Sequence, residues 1–538
     1  MQEKHKTGNV ASLMERVRIA FGSPIFTCAA FAFAAAAAVS WALAVPAQYA
    51  DLSWQRWIGS QILANHRIPT SLGPETFTAN GLPWIPQEWL FSVIVAVAGI
   101  DAGFTLFAIG IGLTVAATIA LVGLRTWHRT QSALMTSLAI LSTTAVLIPF
   151  NSLRAEHFGW VLTALALAVV ESGGWRARLL LLPLASVWAN IHASVIILPV
   201  ILAIDAVARI ARARAVGRPE MFACALALGS LAATWINPVG FRLTTYALDM
   251  QAHTAASRYI TEWQPPTLSD HVFVICFLPM LTIGFLGALK RRDVRDLLLL
   301  VAFGYLGFHA SRHITLFAIV AAPIAWTMRT RDSNAISIAS FRANLTPRKA
   351  VTYAAVVGVC YSLVSVATGP PAAAITNSLT QVGFYPAVRS ALALPGKHRV
   401  YCEDFTWCSL IVGTPRFHVW WDGRADPYPL PIWDDARRVA ADMPRGIAIR
   451  EFNRYGVDVA ISRTIAPLSL ALRKANWQIV SVDAQYVVWQ RRDCYAPRVV
   501  TLTRTEREES SILSPYSRHN SGLHVNSSMI ECRAISRR

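Results

Sequence analysis

Charged and polar side chains that could take part in catalysis recur in short stretches that follow long apolar runs of this sequence. They occur in "DLSWQRWIGSQILANHRIP", "NSLRAEH", "WANIH", "RYITEWQPP" and "FHASRH". The residues singled out in these stretches are Asp51, Arg154, Glu156, Asn190, His192, Glu262, Arg312 and His313. A carboxylate can take a proton from a hydroxyl group, and a guanidinium group matches the oxygens of a phosphate. The residue types therefore suit chemistry that moves a proton beside a phosphate.

Each residue type predicts a particular role. Asp51 is the candidate general base, provided that a neighbour or partial burial tunes it. Arg154 and Arg312 are candidate phosphate ligands, because each offers a bidentate fork. His192 and His313 either assist one of these roles or cap helix ends.

Two tryptophans of the first polar region are candidate sugar contacts. Trp54 and Trp84 offer flat faces on which a sugar ring can stack. Aromatic residues near an apolar run are also common membrane anchors, and both interpretations stay open here.

Composition defines the broad class of protein. The chain has 538 residues, of which 54% are hydrophobic and only 15% charged. Soluble domains are about 25% charged, so this balance indicates a membrane protein with several spans. The net charge of +18 does not indicate nucleic-acid binding, since no basic cluster falls in a nucleic-acid module. No motif of ATPases, serine hydrolases or zinc proteases occurs either.

The apolar runs predict eleven membrane spans, several of which need tilt or flanking polar residues to reach the length of a span. They lie at 24–46, 103–124, 132–150, 158–171, 178–190, 192–208, 219–236, 270–289, 296–309, 313–328 and 350–368. The run at 85–101 has only about a dozen apolar residues, which favours a re-entrant or interfacial helix. The first span could also be a signal peptide, but its apolar core is longer than usual, which favours a retained anchor.

The distribution of lysine and arginine predicts the orientation. If 85–101 does not cross, twenty-one basic residues before position 370 lie on one side. The six on the other side are Arg56, Arg67, Arg154, Arg242, Arg258 and Arg312. The positive-inside rule then puts the N-terminus in the cytoplasm and the C-terminus outside.

This orientation gathers the candidate residues on the outer face. Ionisable groups near membrane depth are costly, so a cluster of them on one face predicts a functional cavity there. Helix ends that are satisfied by interfacial water are the structural alternative. We expect the substrate-contacting set to be Arg154, Glu156, Asn190, His192, Glu262, Arg312 and His313.

The same stretches resemble a group of bacterial GT-C membrane glycosyltransferase-like proteins. The residues that carry the first outer-loop pattern are Asp51, Leu52, Trp54, Gly59, Ile68, Pro69, Phe77, Pro83, Trp84, Glu88, Trp89 and Leu90. "WANIHAS", "NPVG", "ITEWQPP", "SRHITLF" and "DGRADPY" are similar to later landmarks of the group. The resemblance covers about residues 20–495.

The resemblance implies the GT-C fold and a sugar donor linked to a polyprenyl phosphate. Related proteins include protein O-mannosyltransferases, the aminoarabinose transferase and oligosaccharyltransferases, which place an acidic residue in the first outer loop. Asp51 matches that position, as base or as a metal-holding residue. The sequence departs from the group at Ser53 and Gln55, and Glu75 is the acid nearest to the missing aspartate of the later motif. The cofactor is therefore unassigned: a divalent metal is possible, but no clear ligand set exists.

The region after residue 370 predicts a soluble α/β domain. "HRVYCED", "RFHVWWD", "VDVAIS" and "YVVWQRR" read as strands, and "WDDARRVAADM" and "PLSLALRKANW" as amphipathic helices. Arg424 of "DGRADPY" is either part of a buried ion pair or part of an acceptor site. Cys402 and Cys408 lie on the outer side of the membrane, where a disulfide is permitted, and Cys494 is a rival partner, so the pairing among the three stays open. We expect domains at 1–370 and 371–497, and a disordered tail at 498–538.

These inferences predict a multi-pass protein of the bacterial cytoplasmic (inner) membrane. Its function would be an inverting glycosyl transfer from a polyprenyl-phosphate-linked sugar to an envelope glycan, lipid or protein on the outer face. A non-catalytic membrane protein for envelope polysaccharide assembly or transport is the alternative. A secondary transporter is disfavoured, because polar residues gather at one face and no internal repeat is visible.

Overall fold

The protein consists of two compact units. The structure is a computed structural model and describes residues 23–45, 50–100, 102–250, 258–327, 386–482 and 485–492. The first unit comprises Met1–Thr70 and Trp84–Leu379, and the second comprises Ser71–Pro83 and Thr380–Arg538. The predicted boundary at 370–371 and the predicted tail at 498–538 lie outside the described residues and stay predictions.

The first unit is helical. Its α-helices are α1 Pro24–Ala44, α2 Ala50–Asn65, α3 Trp89–Ala98, α4 Ala102–Thr130, α5 Ala133–Leu147, α6 Glu156–Ser172, α7 Trp175–Leu179, α8 Leu181–Ile191, α9 Ile197–Ala213, α10 Arg218–Ala233, α11 Arg242–Asp249, α12 Leu278–Arg291, α13 Val294–His309 and α14 Ile314–Ala325. Helix α14 is buried along its whole length at the centre of the unit. Its neighbours α4, α5, α6, α12 and α13 pack around it.

The apolar helices confirm that this is a membrane protein. Within the described residues, five helical segments are long and apolar enough to cross a bilayer. They are Pro24–Ala44, Gly103–Thr130, Ala133–Phe150, Ala193–Ala213 and Val272–Arg291. The other predicted spans before residue 328 coincide with shorter helices, and the predicted span at 350–368 lies outside the described residues. The count of eleven spans therefore stays a prediction.

The polar stretch after the first span forms helix α2, which its composition does not predict. Helix α2 has no strong apolar stripe, so packing against α3 must stabilise it. The two helices meet closely at Gly59, where a Cβ atom would clash with the backbone carbonyl of Ser92. The short helix at Trp89–Ala98 has ten residues. That length fits the predicted interfacial helix and is too short to span a bilayer.

The second unit contains a mixed five-stranded sheet. Its strands are β1 His398–Cys402, β2 Phe417–Val419, β3 Val459–Arg463, β4 Gln478–Val482 and β5 Tyr486–Gln490, in the order β2-β1-β3-β5-β4. Strand β1 is parallel to β2 and β3, whereas β5 is antiparallel to β3 and β4. Its helices are α15 Phe405–Cys408, α16 Leu430–Ala441, α17 Ile447–Tyr455 and α18 Pro467–Lys474. The α/β prediction is confirmed, and β4, α15 and α17 are among the elements it missed.

A segment of the first polar region belongs to this second unit. The backbone N–H of Val419 donates to the backbone carbonyl of Glu75 at 2.7 Å, and the N–H of Phe77 donates to the carbonyl of Val419 at 3.1 Å. Residues 71–83 thereby cover the β2 edge of the sheet, which would otherwise expose unpaired backbone groups. Arg424 forms a buried ion pair with Asp422 at 2.6 Å and contacts Glu75 at 3.2 Å. These contacts favour the structural interpretation of the "DGRADPY" arginine.

The structure also pairs two cysteines of the second unit. Cys402 and Cys408 form a disulfide with their Cα atoms 5.8 Å apart. Cys494, the other predicted partner, lies outside the described residues.

Candidate functional site

Charged residues from four separate segments meet at one end of the helices of the first unit. Asp51 lies in the first turn of α2, and Glu156 is the first residue of α6. Arg154 precedes α6 by two residues, Glu262 lies in a 3₁₀ turn, and Arg312 lies in the turn before α14. All five positions are helix beginnings or turns, because a helix interior at membrane depth would bury these charges without polar neighbours.

Arg154 joins two of the acids. Its Nε and Nη2 atoms lie 2.8 and 2.7 Å from Oδ2 of Asp51. Its Nη1 atom lies 2.9 and 3.1 Å from the two oxygens of Glu262. Two contacts of Arg154 with Asp51 therefore end on the same oxygen, Oδ2.

Arg312 extends the network to a third acid. Its Nη2 atom donates to Glu156 at 2.6 Å, and its Nη1 atom lies 3.4 Å from Glu262. The guanidinium carbon lies 4.4 Å from the ring centre of Trp263, within the range of a cation–π contact. Trp263 thus fixes the plane of the Arg312 fork.

The result is a continuous charge ladder, defined as Asp51–Arg154–Glu262–Arg312–Glu156. Two guanidinium groups face three carboxylates, so each arginine is held between two acids. Burial alone would raise the pKa of Glu262, but Arg154 and Arg312 hold the pKa of that carboxyl below its usual range. Glu262 is therefore anionic at neutral pH. With 30% of its side chain exposed, it is the most accessible acid of the ladder.

Glu88 is a further acid near the ladder, and its direct partners are neutral amides. The amide nitrogens of Gln55 and Gln87 donate to its two oxygens. His192 Nε2 lies 3.5 Å from Oε1, while His192 Nδ1 accepts from the backbone N–H of Ser194. Burial raises the pKa of Glu88 to about 7, although the charge of Arg312 and the bond from Gln55 oppose the shift. Glu88 is therefore partly protonated at neutral pH.

Helix α2 links Glu88 to the ladder. Gln55 follows Asp51 by four residues and lies on the same helix face. Its side chain is buried and contacts both Glu88 and the hydroxyl of Ser92. Glu88 was not among the site residues predicted from the sequence. A carboxylate directly before the apolar helix α3 was the signal available for finding it.

The remaining predicted residues lie around this region. Asn190 accepts from the indole of Trp89 at 3.0 Å and donates to the carbonyls of Ser186 and Ile236. His313 is buried beside Trp263, with ring centres 6.0 Å apart. Their substrate contacts stay predictions.

The two tryptophans proposed for sugar stacking contact each other. The rings of Trp54 and Trp84 meet edge to face with centres 6.5 Å apart. Trp84 is only 5% exposed, whereas Trp54 is partly exposed. Stacking on a sugar stays a prediction for both rings.

The acids of the ladder are engaged by arginine in this arrangement. Across the described ranges, no three side chains of His, Cys, Asp or Glu lie close enough to share a metal ion. Glu75, the acid nearest to the missing aspartate in the sequence, lies in the second unit against Arg424. The arrangement offers guanidinium groups for an anion and carboxylates for proton transfer.

The sequence matches no protein-family model and no curated protein at a significant level. Solved structures do match. One is the archaeal oligosaccharyltransferase AglB from Archaeoglobus fulgidus in complex with an inhibitory peptide and a dolichol-phosphate. It is 12% identical with a TM-score of 0.50, and the match covers 81% of this chain and 69% of that chain.

A second similar structure is ArnT from Cupriavidus metallidurans bound to undecaprenyl phosphate. It is 15% identical with a TM-score of 0.43, and the match covers 85% of this chain and 97% of that chain. The likeness to the oligosaccharyltransferase identifies the fold, which is the predicted GT-C fold, and does not by itself assign an activity.

Proposed function

We propose that this protein is an integral membrane glycosyltransferase that moves a sugar from a polyprenyl-phosphate donor to an envelope acceptor. The observation that carries the proposal is the charge ladder, which brings a carboxylate and two arginines together at one end of a GT-C fold. The structural neighbours bound to dolichol-phosphate and undecaprenyl phosphate support the class of donor.

The donor phosphate would bind between Arg154 and Arg312. These two guanidinium groups already share one anionic group, the carboxylate of Glu262. A phosphate carries comparable oxygen acceptors with more charge, so it can compete with Glu262 for both arginines. Glu262 is the most exposed acid of the ladder and would turn away as the donor enters.

Asp51 would act as the general base of an inverting transfer. One carboxylate oxygen takes the proton of the acceptor hydroxyl, whose oxygen then bonds to the anomeric carbon. The bond between that carbon and the phosphate oxygen breaks, and its electron pair stays on the phosphate. Arg154 and Arg312 stabilise that charge as it develops.

Glu88 would supply a proton next to the helix face that carries Asp51. With its pKa near 7, Glu88 is partly protonated at neutral pH and can donate a proton to the departing phosphate. Gln55 would hold Glu88 in position from the same helix face that carries Asp51.

The proposed location is the outer face of the bacterial cytoplasmic membrane. The excess of arginine and lysine in the other set of loops supports this orientation. The disulfide between Cys402 and Cys408 supports an oxidising compartment for the second unit.

The proposal is tested with radiolabelled polyprenyl-phosphate sugars and membranes that contain or lack the protein. We expect label to move from the lipid fraction into an envelope glycan, lipid or protein only when the protein is present. Equal transfer in both membranes, across the donor sugars tried, would favour a non-catalytic role in polysaccharide assembly or transport.

A further inference from the structure

A second charge cluster lies at the opposite end of the helices that carry the ladder. Glu156 begins α6 and Glu171 lies near its end, so about 22 Å of helix separates the two acids. Helix α13 has the same arrangement, with Asp296 in its first turn and Arg312 just after its end. The ladder and this second cluster are therefore distinct sites on shared helices.

Two acids, the partly buried Glu171 and the buried Asp296, organise the second cluster. Glu171 contacts Arg125 and Arg129 at 2.7 Å and Arg295 at 3.2 Å. Asp296 contacts Arg129 at 2.9 Å and Arg291 at 3.2 Å. Arg125 also donates to the carbonyl of Ile319 in the central helix α14. This part of the network stabilises the packing of α4, α6, α13 and α14.

A cavity of about 330 Å³ opens beside these residues. Four arginines and three acids line it: Arg125, Arg129, Arg291, Arg295, Glu171, Asp293 and Asp296. The lining therefore has one surplus positive charge. This volume lies within the range of about 300–1,000 Å³ that is usual for small-molecule pockets, which is enough for a phosphate group and its substituents.

Two arginines of the lining are partly exposed. Arg291 and Arg295 are 22% and 19% exposed, whereas Arg125 is 1% exposed. Arg295 lies 3.2 Å from Glu171 and 3.6 Å from Asp205, and the second distance is beyond a hydrogen bond. A guanidinium group has five N–H donors, so these contacts do not exhaust Arg295.

We propose that this cavity binds the phosphate group of an anionic ligand, held chiefly by Arg291 and Arg295. A phosphodiester carries one negative charge, which would neutralise the surplus of the lining. Basic pockets between membrane helices on the cytoplasmic side are suited to anionic lipid headgroups. Leu124, which also lines the cavity, is 47% exposed and offers an apolar surface for the chains of such a lipid. A soluble phosphate compound is the other source of the same chemistry.

The test measures ligand binding to the purified full-length protein in neutral detergent by native mass spectrometry. The probes are phosphatidylglycerol, phosphatidylcholine and inorganic phosphate, each titrated separately. The variants are Arg295→Gln and the double variant Arg291→Gln/Arg295→Gln. Arg212→Gln is the matched control, because Arg212 is exposed, also near a helix end, and not part of the lining.

We expect phosphatidylglycerol to bind, phosphatidylcholine not to bind, and affinity to fall about fivefold for each arginine removed. Binding of inorganic phosphate with the same dependence on these arginines would support the site and assign a soluble source. Binding that is unchanged in both variants, or absent for both anionic probes, would overturn the proposal. Arg295→Gln removes only the contacts of 3.2 and 3.6 Å, so it provides the test if the double variant does not fold.

Discussion

Arg154 contacts Oδ2 of Asp51 through both Nε and Nη2, at 2.8 and 2.7 Å. The same side chain holds Glu262 with its remaining nitrogen, Nη1. A planar fork can span two acids in this way, whereas a lysine ammonium is a single point of charge. The position of Asp51 thus depends on the shape of Arg154 as well as on its charge.

The Arg154→Lys variant therefore should lose transfer activity although it keeps the charge. We expect the rate to fall about tenfold, the effect of losing one charge-assisted hydrogen bond. Transfer of labelled sugar at matched membrane levels measures it. Arg67→Lys is the control, since Arg67 is exposed on the segment after α2. A fully active Arg154→Lys protein would show that the fork does not position Asp51.

The Arg312→Ala variant should chiefly weaken donor binding. Removing this arginine leaves Glu156 without its 2.6 Å partner and removes one of the two proposed phosphate ligands. The expected cost is about 2–5 kcal/mol, seen as a higher KM for the polyprenyl-phosphate donor. A fall in kcat with an unchanged donor KM would contradict the assignment of Arg312 to the donor.

The Glu88→Gln variant tests whether the pKa of Glu88 is raised, because a raised pKa makes the free energy of unfolding depend on pH. The pKa of Glu88 is 4.5 in the unfolded protein and about 7 in the folded protein. Between these pH values the folded state therefore binds more protons than the unfolded state. Wild-type stability consequently falls as pH rises from about 4.5 to 7, and the loss levels off above 7. The full effect is roughly 3 kcal/mol. Glutamine resembles the protonated acid and removes this loss.

Thermal unfolding in detergent at pH 5 and pH 8 measures the effect. We expect Glu88→Gln to match the wild type at pH 5 more closely than at pH 8, where the variant should be more stable. Asp249→Asn is the control, because this acid is exposed at the end of α11. A stability difference that does not change with pH would show that Glu88 ionises normally.

Membrane orientation is tested by introducing cysteines at two exposed positions, Ile465 and Arg212. A membrane-impermeant maleimide should label Ile465→Cys in intact cells and Arg212→Cys only after lysis. The wild-type protein gives the background from its native cysteines. The reverse labelling pattern would put the ladder on the cytoplasmic side and contradict the proposed donor.

The sequence predicted the membrane helices well, because a span must be long and apolar whatever it packs against. It also placed the acids and arginines at the same end of these helices, since counting spans and charges needs no tertiary contacts. The pairing within the ladder was not predictable, because Asp51, Arg154, Glu262 and Arg312 are each at least 50 residues apart and meet only through packing.

Other features depended on tertiary contacts in the same way. Helix α2 is polar and is stabilised by the close approach of Gly59 to α3 rather than by its own pattern. Residues 71–83 have no strand pattern, and their pairing with β2 arises from the free edge of that strand. Glu88 was left out of the predicted site because its raised pKa results from burial, which its sequence neighbours do not reveal.

Turnover of Asp51→Asn tests whether the Asp51 carboxylate is the general base of the transfer. Labelled donor is supplied to membranes with equal amounts of wild type, Asp51→Asn and the exposed control Asp249→Asn, and detergent size-exclusion profiles verify folding. The account predicts a loss of about 100-fold or more for Asp51→Asn, as expected for a missing general base, and normal transfer for the control. A folded Asp51→Asn protein that transfers sugar at the wild-type rate would contradict it.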